Sequence, residues 1–207
     1  MRFVSIFACF VLLLGCSSGG PGETKVAAAG KPAATKPEAS KPAPQAARPD
    51  LNTGEEPAVR PAKALEFRTA DGKQISLADY KGRVVVVMFF STDCPHCQQT
   101  TAFLSTIYDQ YAAKGTEFIG LAVNPNAPGN IDQFISTYRA RFPVGLTTRS
   151  TWSEFGEFPI TQNTFVPHML FVDKAGNIAE DHPGKDRDFW ATQQTGIPAA
   201  LDRLLAQ

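Results

Sequence analysis

Residues 84–98 read V-V-V-V-M-F-F-S-T-D-C-P-H-C-Q, and this stretch decides the fold. The continuous β-branched and aromatic run over residues 84–90 predicts a strand that is buried on both faces, as in a sheet covered by helices. Cys94 and Cys97 then stand at a predicted helix start, where Pro95 suits the first turn because its missing N–H costs nothing there. Apolar residues at helical spacing follow, namely Phe103, Leu104, Ile107, Tyr108 and Tyr111.

Two cysteines separated by two residues at a helix N-terminus predict redox chemistry. The first thiol, Cys94, lies over unpaired backbone N–H groups and the positive end of the helix dipole, which favour the thiolate. The thiolate is the species that attacks a disulfide, and Cys97 is placed to close a small disulfide ring with Cys94. The sequence therefore predicts that these two residues exchange disulfides.

Composition excludes several classes of partner. The chain has 207 residues, a formal net charge of zero and only 19% charged residues. It has no strongly basic patch of the kind that binds nucleic acid, so we predict no nucleic-acid partner.

The N-terminus predicts a signal peptide over residues 1–15. Arg2 precedes a nearly apolar run over residues 3–14, which is short for a membrane span but suits the apolar region of a signal. The run ends in Leu-Leu-Gly-Cys, which resembles the bacterial lipobox and predicts cleavage before Cys16 and lipid attachment to its sulfur. Ser17 after the cysteine favours the outer membrane. The alternative is an ordinary secretory signal in which Cys16 has no role.

Cleavage and lipidation would leave Cys94 and Cys97 as the only thiols of the mature chain. In a secreted protein such a pair serves redox exchange or a local staple. A metal site needs two further ligands nearby, so we predict no metal and no cofactor other than the Cys94–Cys97 disulfide itself.

Composition divides the rest of the chain into a tether and a domain. Residues 16–62 are rich in Pro, Ala and Lys and contain almost no large apolar side chains, so we expect a disordered tether. Residues 63–207 carry the apolar patterns of a globular domain. Its predicted elements are a hairpin of residues 65–69 and 74–77, a strand over 117–124, a helix over 131–141, a hairpin of residues 169–172 and 178–181, and a closing helix over 196–206.

The domain resembles the TlpA/ResA-type thioredoxin-like proteins, within the broader redoxin group that includes peroxiredoxins. The resemblance rests on residues 67–82, the core at 84–97, residues 142–144 and 166–178, and Gly184. It implies an α/β thioredoxin-like fold, with a central mixed β-sheet flanked by helices and an N-terminal β-hairpin, and a redox-active disulfide. It also implies a cis Val166–Pro167 bond, in a loop that lies against the cysteines and pairs with an extended substrate. From the residues alone, Pro167 is equally explained as a loop-end proline before an edge strand.

The sequence departs from the family at three kinds of position. Pro95 and His96 lie between the cysteines, as in periplasmic disulfide oxidases, and a histidine there can direct a hydrogen bond or positive charge towards the Cys94 thiolate. This would make the disulfide more oxidising. The alternative is that His96 only faces solvent. Met88 and Thr100 occupy positions where many relatives carry a carboxylate, so the proton acceptor is not identified. Asp93 replaces the usual aromatic residue before the first cysteine.

These observations predict a membrane-tethered thiol–disulfide oxidoreductase of the cell envelope. Cys94 attacks, a mixed disulfide forms, and Cys97 resolves it. Its partners would be protein thiols or disulfides of the periplasm and a transmembrane thiol reductase or oxidase, with the direction of electron flow open. One alternative is a peroxiredoxin-like thiol peroxidase. Another is a non-enzymatic lipoprotein that binds a partner through its domain, although a four-residue disulfide loop is a poor staple.

Overall fold

The computed structural model describes residues 59–207, so the predicted signal peptide, Cys16 and most of the predicted tether lie outside the described residues. Within this range the chain forms an eight-stranded sheet. The strands are β1 (Arg60–Pro61), β2 (Glu66–Thr69), β3 (Gln74–Ser76), β4 (Val84–Phe90), β5 (Thr116–Ala122), β6 (Val144–Leu146), β7 (His168–Val172) and β8 (Asn177–His182). The helices are α1 (Pro95–Ala112), α2 (Ala127–Tyr138), α3 (Arg149–Phe155), α4 (Arg187–Ala191) and α5 (Gln193–Leu205), with a 3₁₀ turn at Leu77–Tyr80.

The sheet is mixed, and β4 lies near its middle. The strand order is β1-β8-β7-β4-β5-β6-β2-β3, with β4 parallel to β5 and antiparallel to β7. Every residue of β4 is buried, as its continuous apolar run predicts. The predicted thioredoxin-like fold is confirmed, and so is the N-terminal hairpin, in which β2 and β3 pair in antiparallel register.

Alternate residues of β4 point into two separate apolar cores. One core contains Met88 and packs against α1, α2 and α5. The other contains Phe89 and packs against α3 and the N-terminal hairpin. Cys97 belongs to the first core, so the predicted redox pair lies on that face of the sheet.

Several boundaries differ from the sequence predictions, most of them by one to three residues. Helix α2 begins at Ala127 rather than at residue 131, because Pro128 occupies its first turn, where a proline is tolerated. Helix α5 begins at Gln193 rather than at residue 196, and the short helix α4 before it has no counterpart among the predicted elements. Strand β1 pairs with β8, so the sheet begins before the predicted domain start at residue 63. Among residues 59–207, no helix has the length and apolar character needed to cross a membrane.

Candidate active site

The two cysteines lie where the buried strand β4 gives way to helix α1. A side-chain network holds the connecting loop: Asn124 accepts from the Thr92 backbone N–H at 3.0 Å and donates to the Thr92 hydroxyl at 2.7 Å. Gln98 donates to the Thr92 carbonyl at 2.9 Å. Because Asn124 follows β5, this network fixes the turn between β4 and α1 to the neighbouring strand.

Cys94 caps the N-terminus of α1 and is half-buried. Its Sγ accepts a hydrogen bond from the Cys97 backbone N–H at 3.2 Å. The Cys97 thiol and the backbone N–H groups of Cys97 and His96 hydrogen-bond to the Cys94 sulfur and, despite partial burial, lower its pKa to about 6. Cys94 is therefore largely thiolate at neutral pH, which is the reactive form.

Cys97 has the opposite environment. Its side chain is 0% exposed and lies in the same core as Met88. Burial and the neighbouring Cys94 raise the pKa of the Cys97 thiol well above its ordinary value. Within residues 59–207, the groups that act on this pKa include no carboxylate. The pair thus consists of an accessible thiolate and a protected thiol.

The loop before β7 covers the cysteines on one side. The Val166–Pro167 peptide bond is cis, and the Val166 carbonyl oxygen lies 3.8 Å from the Cys94 Sγ. The preceding residue, Phe165, is 56% exposed. Gly184 packs so closely behind this loop that a Cβ atom there would lie 2.5 Å from the Phe165 carbonyl oxygen. The arrangement places the half-buried Cys94 sulfur beside the Val166 carbonyl, next to the exposed Phe165.

The His96 side chain contacts Gln193 and Trp190. Its Nε2 lies 3.1 Å from the Gln193 side-chain nitrogen, and its ring packs edge-on against Trp190 with ring centroids 5.2 Å apart. Burial lowers the pKa of His96. It is the backbone N–H of His96, not the ring, that contributes to the low pKa of Cys94. Among the described residues the His96 ring makes no hydrogen bond to Cys94, and its predicted tuning of the redox potential stays a prediction. Pro95 occupies the first position of α1, as predicted.

Gln193 is a site residue that sequence reasoning missed. Gln193 is 97 residues from His96 along the chain and belongs to no motif. Only the packing of α4 and α5 against α1 brings them together. Among residues 59–207, no cluster of three or more His, Cys, Asp or Glu side chains is arranged to hold a metal ion. The absence of a metal from the site stays a prediction.

Known proteins that resemble this chain include thiol-disulfide oxidoreductases. The family model described as redoxin matches residues 39–198. The chain is 28% identical over 136 residues to the thiol-disulfide oxidoreductase ResA of Bacillus thuringiensis subsp. konkukian, covering 64% of this chain and 75% of the relative. It is 28% identical over 116 residues to ResA of Bacillus cereus ATCC 10987, of whose length it spans 63%.

One solved structure resembles this chain in both fold and sequence. It is a thiol:disulfide interchange protein of the thioredoxin family from Chlorobium tepidum TLS, with a TM-score of 0.57 and 28% identity. The alignment covers 71% of this chain and 99% of that structure. The enzyme class predicted from the sequence, a thiol–disulfide oxidoreductase, is confirmed. With a family model that matches most of its length, the chain belongs to the redoxin family.

Proposed function

We propose that this oxidoreductase is a tethered reductant of protein disulfides in the cell envelope. The observation that carries the proposal is the asymmetry of the two cysteines, with a half-buried Cys94 of pKa about 6 above a fully buried Cys97. An accessible thiolate starts an exchange, and a protected thiol completes it only after a substrate has bound.

The reaction balances in two steps. The Cys94 thiolate attacks one sulfur of a substrate disulfide, forming a mixed disulfide and releasing the other substrate sulfur as a thiolate. Cys97 then loses its proton and attacks the Cys94 sulfur, which forms the Cys94–Cys97 disulfide and releases the second substrate thiolate. Two electrons pass from the enzyme dithiol to the substrate disulfide, and a membrane dithiol donor must restore the reduced enzyme.

The pKa of Cys94 supports the reducing direction. Thiolate stabilisation makes a disulfide more oxidising, and the first cysteine has a pKa of about 7 in thioredoxin and about 3.5 in a strongly oxidising disulfide oxidase. The value of about 6 for Cys94 lies nearer to that of thioredoxin. The His96 ring contacts Gln193 and Trp190, and burial lowers its pKa, which disfavours the positive charge that would favour oxidation.

The substrate is proposed to be a disulfide in an extended protein segment. The Val166 carbonyl oxygen, 3.8 Å from the Cys94 Sγ and directly after the exposed Phe165, supports the approach of such a segment beside Cys94. The resemblance to the TlpA/ResA group points to proteins such as apocytochromes c that need their cysteines reduced. A transmembrane thiol reductase would supply the electrons.

The location is proposed from the N-terminal sequence alone. Residues 1–15 would be removed as a signal peptide, lipid on Cys16 would hold the chain to a membrane, and the predicted tether would end before β1, which is part of the sheet. Ser17 favours the outer membrane. Metabolic labelling with a radioactive fatty acid tests this: the label should enter the wild-type chain and be absent from Cys16→Ala, and equal labelling would contradict lipidation at Cys16.

The deciding experiment is the reduction potential of the Cys94–Cys97 pair, measured by equilibration with glutathione. We expect a value nearer to about −270 mV, as in thioredoxin, than to about −120 mV, as in a strong oxidase. A value near the latter would overturn the reducing direction. Failure to equilibrate would overturn the exchange function and favour a binding role for the domain.

A further inference from the structure

The carboxylate of Asp93, directly before Cys94, is held in place by a chain of uncharged side chains. The Thr92 backbone N–H donates to the Asn124 side-chain oxygen at 3.0 Å. The Asn124 amide nitrogen therefore faces the other way and donates to the Thr92 hydroxyl at 2.7 Å and to the Asn126 side-chain oxygen at 2.6 Å. This leaves the Asn126 nitrogen to donate to Asp93 Oδ2 at 2.8 Å. Because the first donor is a backbone N–H, the orientation of both amides follows from it.

The charge of this carboxylate has no counter-ion in the described part of the chain. Its oxygens accept from the Asn126 amide and, at 3.4 Å, from the Thr92 hydroxyl, both of which are neutral. None of the ion pairs within residues 59–207 includes Asp93, and its side chain is exposed. Neutral donors fix the direction of a carboxylate but leave its negative charge open to a cation. Asp93 is therefore an oriented negative charge one residue before the attacking cysteine.

A cleft of about 270 Å³ lies beside Asp93, between the start of α1 and helix α2. Among the described residues that line it, Asp93 alone is charged, and Phe134 and Tyr138 of α2 supply an aromatic wall. Pockets for whole small molecules usually have about 300–1,000 Å³, so this cleft suits one long side chain. Lysine and arginine combine a long apolar stem with a positive end, which matches an aromatic wall and a carboxylate.

We propose that Asp93 and this cleft form a subsite for a lysine or arginine side chain of the substrate protein, close to the cysteine that Cys94 attacks. The inference deepens the proposed function and rests on it. The ion pair with Asp93 brings a basic segment of the substrate to Cys94, and the same charge repels an acidic segment. The class of substrate is thus a protein disulfide with a basic residue beside one of its cysteines.

The first test compares three peptide disulfides that differ only in the residue beside one cysteine, which is lysine, glutamine or glutamate. A lysine also activates its own disulfide, so the reference is the rate ratio of the same peptides with dithiothreitol. With the wild-type chain, the lysine-to-glutamine ratio of kcat/KM should exceed that reference by about threefold, the size expected of one exposed ion pair. The glutamate peptide should react most slowly. High salt should reduce the lysine preference, because it screens exposed charges.

The second test removes the charge of the subsite. In Asp93→Asn, the lysine-to-glutamine ratio should fall to the dithiothreitol value. Any effect of this variant on the reactivity of Cys94 cancels in the ratio, because it applies to both peptides. Asp132→Asn is the matched control, since Asp132 is an exposed carboxylate of α2 that does not line the cleft, and its ratio should stay at the wild-type value. An unchanged ratio in Asp93→Asn, or an equal fall in both variants, would overturn the subsite.

The third test measures binding without reaction and so separates the subsite from the proposed function. The full chain with Cys94→Ser is titrated with the same peptides, and the side-chain amide NMR signals of Asn126 and Gln98 are followed. The lysine peptide should bind about threefold more tightly than the glutamine peptide, and adding Asp93→Asn should abolish this preference. Equal binding of the two peptides would overturn the subsite. If the lysine peptide binds preferentially but the wild-type chain reduces none of the peptides, the proposed function fails while the subsite stands.

Discussion

Two consecutive residues of the chain serve two polar sites of opposite character. Pro167 follows Val166, whose carbonyl oxygen lies 3.8 Å from the Cys94 Sγ. The next side chain, His168, is 2% exposed and lies against Trp152 and Phe89. The two sites show what a reactive site needs and what a structural polar cluster needs.

The cluster around His168 is held by hydrogen bonds and paired charges. The Trp152 indole N–H donates to His168 Nδ1 at 2.9 Å, and His168 Nε2 lies 2.6 Å from an Asp181 carboxylate oxygen. Arg60 lies 2.6 Å from the other Asp181 oxygen and 2.9 Å from Glu157. Each charge meets an opposite charge, so the cluster joins β1, β7, β8 and the end of α3 without being reactive.

The redox site is built differently, because its charge is made and removed during each turnover. The Cys94 sulfur faces backbone N–H groups and the Cys97 thiol instead of a permanent cation. The backbone N–H groups stabilise the thiolate but can also lie beside a neutral disulfide at little cost, and the Cys97 sulfur itself becomes half of that disulfide. We therefore expect substitutions at the redox site to change activity and substitutions in the His168 cluster to change stability.

The largest expected effect is on the second step of exchange. Cys97→Ser should leave the attacking thiolate intact but remove the group that resolves the mixed disulfide. Turnover should fall to the background level, and a covalent complex with a disulfide-containing protein should accumulate. Mass spectrometry after acid quenching measures this complex. Cys94→Ser is the control and should form no complex, since Cys97 is 0% exposed and remains a thiol. Equal complex formation by the two variants would reverse the assigned roles.

Asp181→Asn should act on stability instead. The variant leaves Arg60 and His168 without their charged partner in a mostly buried site, which should lower the free energy of unfolding by about 2–4 kcal/mol. Denaturant unfolding followed by circular dichroism measures this loss, and the Cys94 pKa should stay at about 6. The matched control is Asp202→Asn, whose exposed pair with Lys114 should contribute at most about 1 kcal/mol. A larger loss in the control would contradict the distinction between the two ion pairs.

The same carboxylate gives the stability a pH dependence. Burial acts to raise the pKa of Asp181, but the hydrogen bonds from His168 and Arg60 and the positive charge of Arg60 outweigh it and lower the pKa. A carboxyl group whose pKa is lowered by folding stabilises the fold above its ordinary pKa of about 3.9 and loses that contribution as the pH falls through the lowered value. The difference between wild type and Asp181→Asn should therefore shrink at acid pH. A difference that stays constant down to pH 2 would contradict this assignment.

The sequence predicts a site well when the residues that form it are close together along the chain. The strand, the turn and the two cysteines are contiguous, so residues 84–98 predict the redox pair and its neighbouring elements. The partners of Asp181 and His96 are not local. Arg60 lies 121 residues from Asp181, within a stretch whose composition indicates a tether, and Gln193 lies 97 residues from His96. Such pairs form only when the sheet and the helices pack, and composition or periodicity carries no sign of them.

The low pKa of Cys94 should raise its reactivity by less than the thiolate fraction alone indicates. Alkylation by iodoacetamide should follow a single titration with a midpoint at pH about 6. At pH 7 the thiolate fraction is about ninetyfold that of a thiol with a pKa of 9, but nucleophilicity falls with pKa by a Brønsted coefficient of about 0.4–0.5. The net advantage over an ordinary thiol is therefore about fourfold. Cys94→Ser gives the background from Cys97, and a midpoint above pH 8 would contradict the stabilisation of the thiolate by α1.

We expect the smallest effect from Phe165, at the surface where a substrate would reach the redox site. Phe165 is 56% exposed although it directly precedes the loop at Cys94, so its ring is available to an approaching protein. Phe165→Ser should lower kcat/KM for a protein disulfide by about threefold, the value of a modest apolar contact. The rate with a small aromatic disulfide should not change, because such a molecule reaches Cys94 without covering the loop. Val59→Ser is the control, since Val59 is 62% exposed near the β1 edge. Equal losses with both substrates would mean that Phe165 shapes the loop around Cys94 rather than contacting a protein partner.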